Sequence, residues 1–177
     1  MDTESNNESM KLLANYIIIE QIGSGSFGEV YLAEHKRGIQ VAVKVEDNKK
    51  AQRVYNEYKI YKHLHDKKFV VGLPQIYDYL RSTDYNIMVM QLLGLSLEDL
   101  FVEYKRKFKL STIFLLANQL ISLLEKLHRA EYIHRDIKPN NFLIGKDADN
   151  GQVYIMNFGL SKKYIVNGKH IKFTNNR

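Results

Sequence analysis

Apolar and polar positions alternate first with the period of strands and then with the period of helices. Residues 16–22 form a short β-branched run that ends in glycines, and 29–33 and 40–45 are two further strand-like runs. A turn at Lys36-Arg37-Gly38 separates the last two. The period then changes. Over 49–64 the apolar residues Val54, Tyr58, Tyr61 and Leu64 recur every three or four positions, which places them on one helical face. Gly72 and Pro74 punctuate the chain, and strands are predicted over 76–80 and 86–90. Past Gly94 the pattern is helical. Ser96 is placed to cap a short helix through Tyr104, with Glu98 and Asp99 in its first turn. Ser111 is placed to cap a longer helix ending near Arg129. Its stripe runs through Ile113, Leu116, Ala117, Leu120, Leu123, Leu124 and Leu127. The predicted order is five strands with one inserted helix, followed by helices, with no internal repeat.

Composition narrows this only slightly. The chain has 177 residues, 45% of them apolar and 26% charged, as in an ordinary globular domain. It has no cysteine, so disulfides and thiolate metal sites are excluded, in keeping with a cytoplasmic or nuclear setting. Residues 1–13 read as a disordered tail, and its first eight residues are polar and acidic, the opposite of a secretory or mitochondrial signal. No uninterrupted apolar run approaches the roughly 18–20 residues that cross a bilayer. The net charge of +6 is spread along the chain without a dense basic block, so neither nucleic acid nor membrane is expected as a partner. The oligomeric state is not written in the sequence.

Four segments carry chemistry. Gly23-Ser24-Gly25-Ser26-Phe27-Gly28 is a GxGxxG loop, in which Gly23, Gly25 and Gly28 let backbone close over phosphates. A dinucleotide fingerprint has a helix after the glycines. Here a strand follows, with Val30 two residues past Gly28, which is the GxGxxGxV form. Val41-Ala42-Val43-Lys44 lies on the third strand and puts Lys44 within reach of α- and β-phosphates. Glu57, on the following helix, is placed to pair with it. His134-Arg135-Asp136-Ile137-Lys138-Pro139-Asn140-Asn141 is the most specific string. In it Asp136 would accept a hydroxyl proton, Lys138 would neutralise a transferring phosphoryl group, and Asn141 would offer oxygen to magnesium. Asn157-Phe158-Gly159 stands where Asp-Phe-Gly is expected. The amide keeps the shape but removes a full charge from a hard-cation site.

Together these residues resemble a eukaryotic protein kinase, and within it the casein kinase I family. The finer resemblance lies in 85–101, 134–143 and 153–164. It implies an α+β fold: a five-stranded antiparallel small lobe with one helix over 14–91, then a hinge and a partial helical lobe over 92–177 that ends within the activation segment. It further implies Met90 as gatekeeper, Leu92 and Leu93 as hinge contacts for adenine, and Ile22, Val30 and Ala42 as apolar walls. ATP and Mg2+ are the implied cofactors, with Asn141 and Asn157 at the metal. The implied partners are protein substrates, acidic or already phosphorylated, modified on Ser or Thr. Gln91 and Asn140 depart from the family's usual Glu and Asp. Asn157 departs further, and a catalytically impaired nucleotide- or partner-binding module is the rival reading. The chain as given is expected to transfer phosphate negligibly.

Overall fold

A computed structural model describes residues 15–25, 28–47, 52–69, 71–82, 84–146 and 151–172. The predicted tail, Ser26, Phe27 and the start of the predicted first helix lie outside these residues. Strands β1 (Tyr16–Gly25), β2 (Gly28–His35), β3 (Gln40–Asp47), β4 (Ile76–Arg81) and β5 (Tyr85–Gln91) form one antiparallel sheet in the order β1-β2-β3-β5-β4. The central strands β3 and β5 bury both faces. Alternation sends Val41 and Val43 to one side, where they meet Ala33, Leu80, Ile87 and Val89. It sends Ala42 to the other side, toward Met88, Met90 and helix α1 (Arg53–Asp66).

Helix α1 seats Val54, Tyr61 and Leu64 in that core, as its period requires. Tyr58 is only partly buried and stacks on Tyr79 of β4, with ring centroids 4.3 Å apart and planes 11° from parallel. The Tyr79 hydroxyl donates to Asn86 Oδ1 at 2.8 Å, and burial pushes its pKa up to about 12. The N-terminus of α1 has no cap from Gln52. The Glu46 carboxylate of β3 accepts instead from the Arg53 and Val54 backbone N–H groups, at 3.1 and 3.0 Å. A strand carboxylate therefore satisfies two amides that a helix leaves open, at its positive end.

Helix α2 (Leu97–Glu103) begins as expected, with Ser96 and Asp99 forming a reciprocal capping box. Helix α3 (Leu110–Arg129) does not. It starts one residue before Ser111, its N-cap is Lys109, and no side chain caps it. Ser111 already lies inside the first turn, where its hydroxyl cannot serve as N-cap. The expected stripe is covered only in part: Leu123 and Leu127 are buried, Leu116, Leu120 and Leu124 pack partly against the core, and Ile113 is exposed.

By length and composition α3 is long and apolar enough to cross a bilayer, the one such helix among the described residues. Reading uninterrupted runs had missed this, because Asn118, Gln119 and Ser122 break the apolar sequence. The helix is nevertheless woven into the fold. Gln119 Oε1 accepts from the Val153 N–H at 2.9 Å, and its Nε2 donates to the Gly151 carbonyl at 2.9 Å. Beyond α3 come β6 (Tyr132–Ile133), the hairpin of β7 (Phe142–Ile144) and β8 (Val153–Ile155), and β9 (Lys162–Lys163), which pairs with β6. The Ile155 N–H donates to the Gly72 carbonyl at 2.9 Å, which hangs β8 on the turn after α1. Gly72 has φ +81°, and a Cβ there would come within 2.2 Å of Leu123.

Candidate active site

The β1–β2 hairpin carries the glycine loop. Its strands pair through Gly25 and Gly28, with no helix after the glycines. Gly28 has φ +105°, and a Cβ there would lie 2.2 Å from the Val45 carbonyl oxygen, so only glycine fits. At Gly25 a Cβ would meet nothing within 4 Å, and at Gly23 only Val30. Across the sheet Val30 pairs with Lys44 and Ala42 with Met90. Val30, Ala42, Met90 and Leu92 share one apolar cluster. Ile22 is 47% exposed and stands outside it, while Leu93 is 9% exposed.

Lys44 and Glu57 meet as the sequence predicts. Lys44 Nζ lies 2.5 Å from Glu57 Oε2, and both residues are buried. The second oxygen of Glu57 accepts from the Phe158 backbone N–H at 3.2 Å. Glu57 thus joins β3 to the Asn157-Phe158-Gly159 segment through α1. Phe158 is fully buried, edge-on to Tyr61 at 4.9 Å and tilted against His134 at 5.3 Å. Tyr61, predicted only as a core position, has its hydroxyl 3.7 Å from the Met156 sulfur. Burial, then the Glu57 charge, drives its pKa well above the ordinary value.

The loop at 134–141 is tied from both ends. His134 Nε2 bonds the Met156 carbonyl at 2.8 Å, and His134 Nδ1 accepts from the Asp136 N–H at 3.3 Å. These partners fix a neutral ring with its hydrogen on Nε2. Arg135 adopts φ 68° and donates through Nε to the Leu160 carbonyl at 2.5 Å, bracing the segment after Phe158. Asp136 Oδ2 is 2.9 Å from Lys138 Nζ. Asn141 Nδ2 donates to the Asp136 carbonyl at 2.6 Å and to its carboxylate at 2.9 Å. Lys138 first and Asn141 second hold the Asp136 carboxyl below its usual pKa, so it stays ionised.

Asn157 sits in the left-handed region, with φ 65° and ψ 66°. Its Nδ2 donates to Asn141 Oδ1 at 3.1 Å, and its own Oδ1 is buried without a partner. The two expected metal ligands are therefore neutral amides bonded to each other. The Asp136 carboxylate, bonded to Asn141, is offset by Lys138, and that of Glu57, bonded to the Phe158 N–H, by Lys44. Among the described residues, no group of three or more His, Asp or Glu gathers to hold a metal. Two amides without a free carboxylate do not fit Mg2+, which proteins hold through one or two carboxylates beside substrate phosphates.

Of the expected site residues, Lys44 pairs with Glu57, and Asp136, Lys138, Asn141 and Asn157 are linked to one another, while Ile22, on β1, is left 47% exposed and Leu92 and Leu93 follow the end of β5. Glu46 was not foreseen, because a carboxylate on a strand reads as solvent-facing until the helix it caps is placed. Two open cavities, of about 480 and 420 Å3, lie on the C-terminal part of α3 and include none of these residues. The protein kinase domain family matches residues 16–176. The chain belongs to the protein kinase family, whose reaction uses ATP and magnesium to phosphorylate proteins.

Proposed function

We propose that this chain is a serine/threonine kinase domain of the casein kinase I type, built to place ATP over Lys44 and a substrate hydroxyl at Asp136. The observation that carries this reading is the buried Lys44–Glu57 pair, closed onto the Phe158 N–H. That contact couples the phosphate-binding lysine to the segment that follows the 134–141 loop. In this reading Asp136 orients and deprotonates the attacking hydroxyl. Lys138, now 2.9 Å from Asp136, turns toward the transferred phosphoryl group. Val30, Ala42, Met90 and Leu92 cover the adenine, with Leu93 completing the hinge. The casein kinase I assignment rests on the runs 85–101, 134–143 and 153–164. Acidic or phosphorylated protein substrates are proposed on the same ground.

Asn157 favours a second reading, in which the chain binds nucleotide and transfers phosphate poorly. Contacts to a charged group contribute about 1.5–3 kcal/mol each, and each 1.4 kcal/mol is about tenfold in rate. One lost contact therefore slows transfer by about ten- to a hundredfold, and a metal site that loses more than one such contact by several orders of magnitude. Incubation of the purified chain with labelled ATP, Mg2+ and casein separates the readings. Phosphoserine or phosphothreonine that Asp136→Ala abolishes supports the first. Nucleotide binding that Lys44→Met abolishes, without transfer, supports the second. Absence of both binding and transfer overturns both.

A further inference from the structure

The hydrogen bonds around Asn141 dictate what position 157 presents. Both hydrogens of the Asn141 amide are directed at Asp136, one to its carbonyl and one to its carboxylate. Its oxygen must therefore face Asn157. A carboxylate at 157 would set an anionic oxygen against that carbonyl oxygen, an opposition that a cation relieves. Asn157 presents an N–H instead, and the pair closes at 3.1 Å. Turning the Asn157 amide over would break this bond and oppose two carbonyl oxygens.

The rest of the cleft is balanced without a metal. Lys44 is matched by Glu57 at 2.5 Å and Lys138 by Asp136 at 2.9 Å. No uncompensated carboxylate remains among these residues. We infer that the Asn157 N–H takes the structural place of the divalent cation, so that this cleft binds the nucleotide triphosphate equally well with and without magnesium. The inference rests on the nucleotide-binding reading above and specifies the form of the ligand.

The charge argument fixes the contrast with an acid at 157. Asn157→Asp adds one carboxylate that repels bare triphosphate and attracts the metal-loaded form. Its preferences should therefore diverge where those of the parent chain coincide. The left-handed backbone at 157 accepts Asp as readily as Asn, and an unfolding curve of the variant checks that it folds.

Calorimetric titration with ATP, once in excess EDTA and once in excess Mg2+, reads the effect. The parent chain should give dissociation constants within about threefold of each other. Asn157→Asp should bind the magnesium form at least about tenfold more tightly than the bare form. Titration with Mn2+ alone, followed by its electron paramagnetic resonance signal, gives a readout independent of nucleotide. The parent should leave the Mn2+ signal free, and Asn157→Asp should quench it. A parent chain that loses ATP affinity by about tenfold in EDTA overturns the inference. So does Mn2+ binding equal to that of Asn157→Asp. If ATP binds under neither condition the nucleotide reading fails, and the Mn2+ titration still decides whether Asn157 closes the metal site.

Discussion

His134 and Asp136 stand two residues apart in opposite electrostatic surroundings. Burial lowers the His134 pKa below its ordinary 6.5, and the Met156 carbonyl only partly offsets this. The folded ring holds a proton less readily than the unfolded one. Stability is therefore complete above the unfolded value of 6.5 and is lost as pH falls below it. Asp136, depressed below 3.8, contributes in a separate and more acidic window, above that value and lost as pH falls through its folded pKa. The thermal midpoint should drop as pH falls below 6.5, and His134→Gln should flatten that slope. A slope unchanged in the variant would assign it to other groups. The Lys44–Glu57 pair gives a second residue-scale prediction. Lys44→Met leaves Glu57 buried and unpaired, at a cost of roughly 3–5 kcal/mol in urea unfolding. Lys44→Met with Glu57→Gln should recover most of it, since no charge is then stranded. The Lys44–Glu57 pairing and the grouping of Asp136 with Lys138 and Asn141 were legible because each motif combines several constrained residue types at fixed spacing. What Asn157 does with its amide was not legible, because it depends on where Asp136 turns Asn141.

At the scale of elements, strand β3 holds α1 at two points. Lys44 reaches Glu57 in the second turn, and Glu46 reaches the Arg53 and Val54 amides in the first. Residues two apart on a strand share a face, so one strand face sets both the height and the rotation of the helix. Glu46→Ala should cost about 0.5–2 kcal/mol, the range for a lost N-cap, and hydrogen exchange should quicken first at Arg53 and Val54. Unchanged exchange there would mean that the cap contributes nothing. Helix α3 offers the converse test. Lys109 has the extended backbone of an N-cap, φ −65° and ψ 147°, with a side chain that cannot accept a hydrogen bond. Lys109→Ser should raise stability by about 0.5–2 kcal/mol in the same urea assay. Strand positions and the α1 face were readable from periodicity alone. The start of α3 was misplaced by two residues, with the cap at Lys109 rather than Ser111, because a serine near the boundary is a strong local signal. The side chain that caps α1 lies on another element, beyond the reach of local pattern.

Over the whole molecule the apolar surface is unevenly distributed. Leu110, Phe114, Leu115 and Ile121 are 65–67% exposed on the side of α3 that turns away from Leu123 and Leu127. Periodicity identified the inner stripe but could not tell how much of the helix the rest of the chain covers, which is a property of packing. Large apolar side chains left this exposed on one helix favour association. The 177-residue chain should sediment as a concentration-dependent mixture of monomer and larger species. Leu115→Lys with Ile121→Lys should shift it to monomer. A parent chain that stays monomeric across the accessible concentration range would contradict this.

The backbone at Asn157 also bears on the history of the chain. Asn and Asp are the non-glycine residues that most readily adopt the left-handed conformation found there. Phe158, locked between Tyr61 and His134, fixes the position of residue 157 whichever of the two occupies it. The codons for Asn and Asp differ only in their first base. A lineage carrying this fold can therefore exchange one residue for the other, in either direction, without passing through a misfolded ancestor. No structural ratchet guards the change.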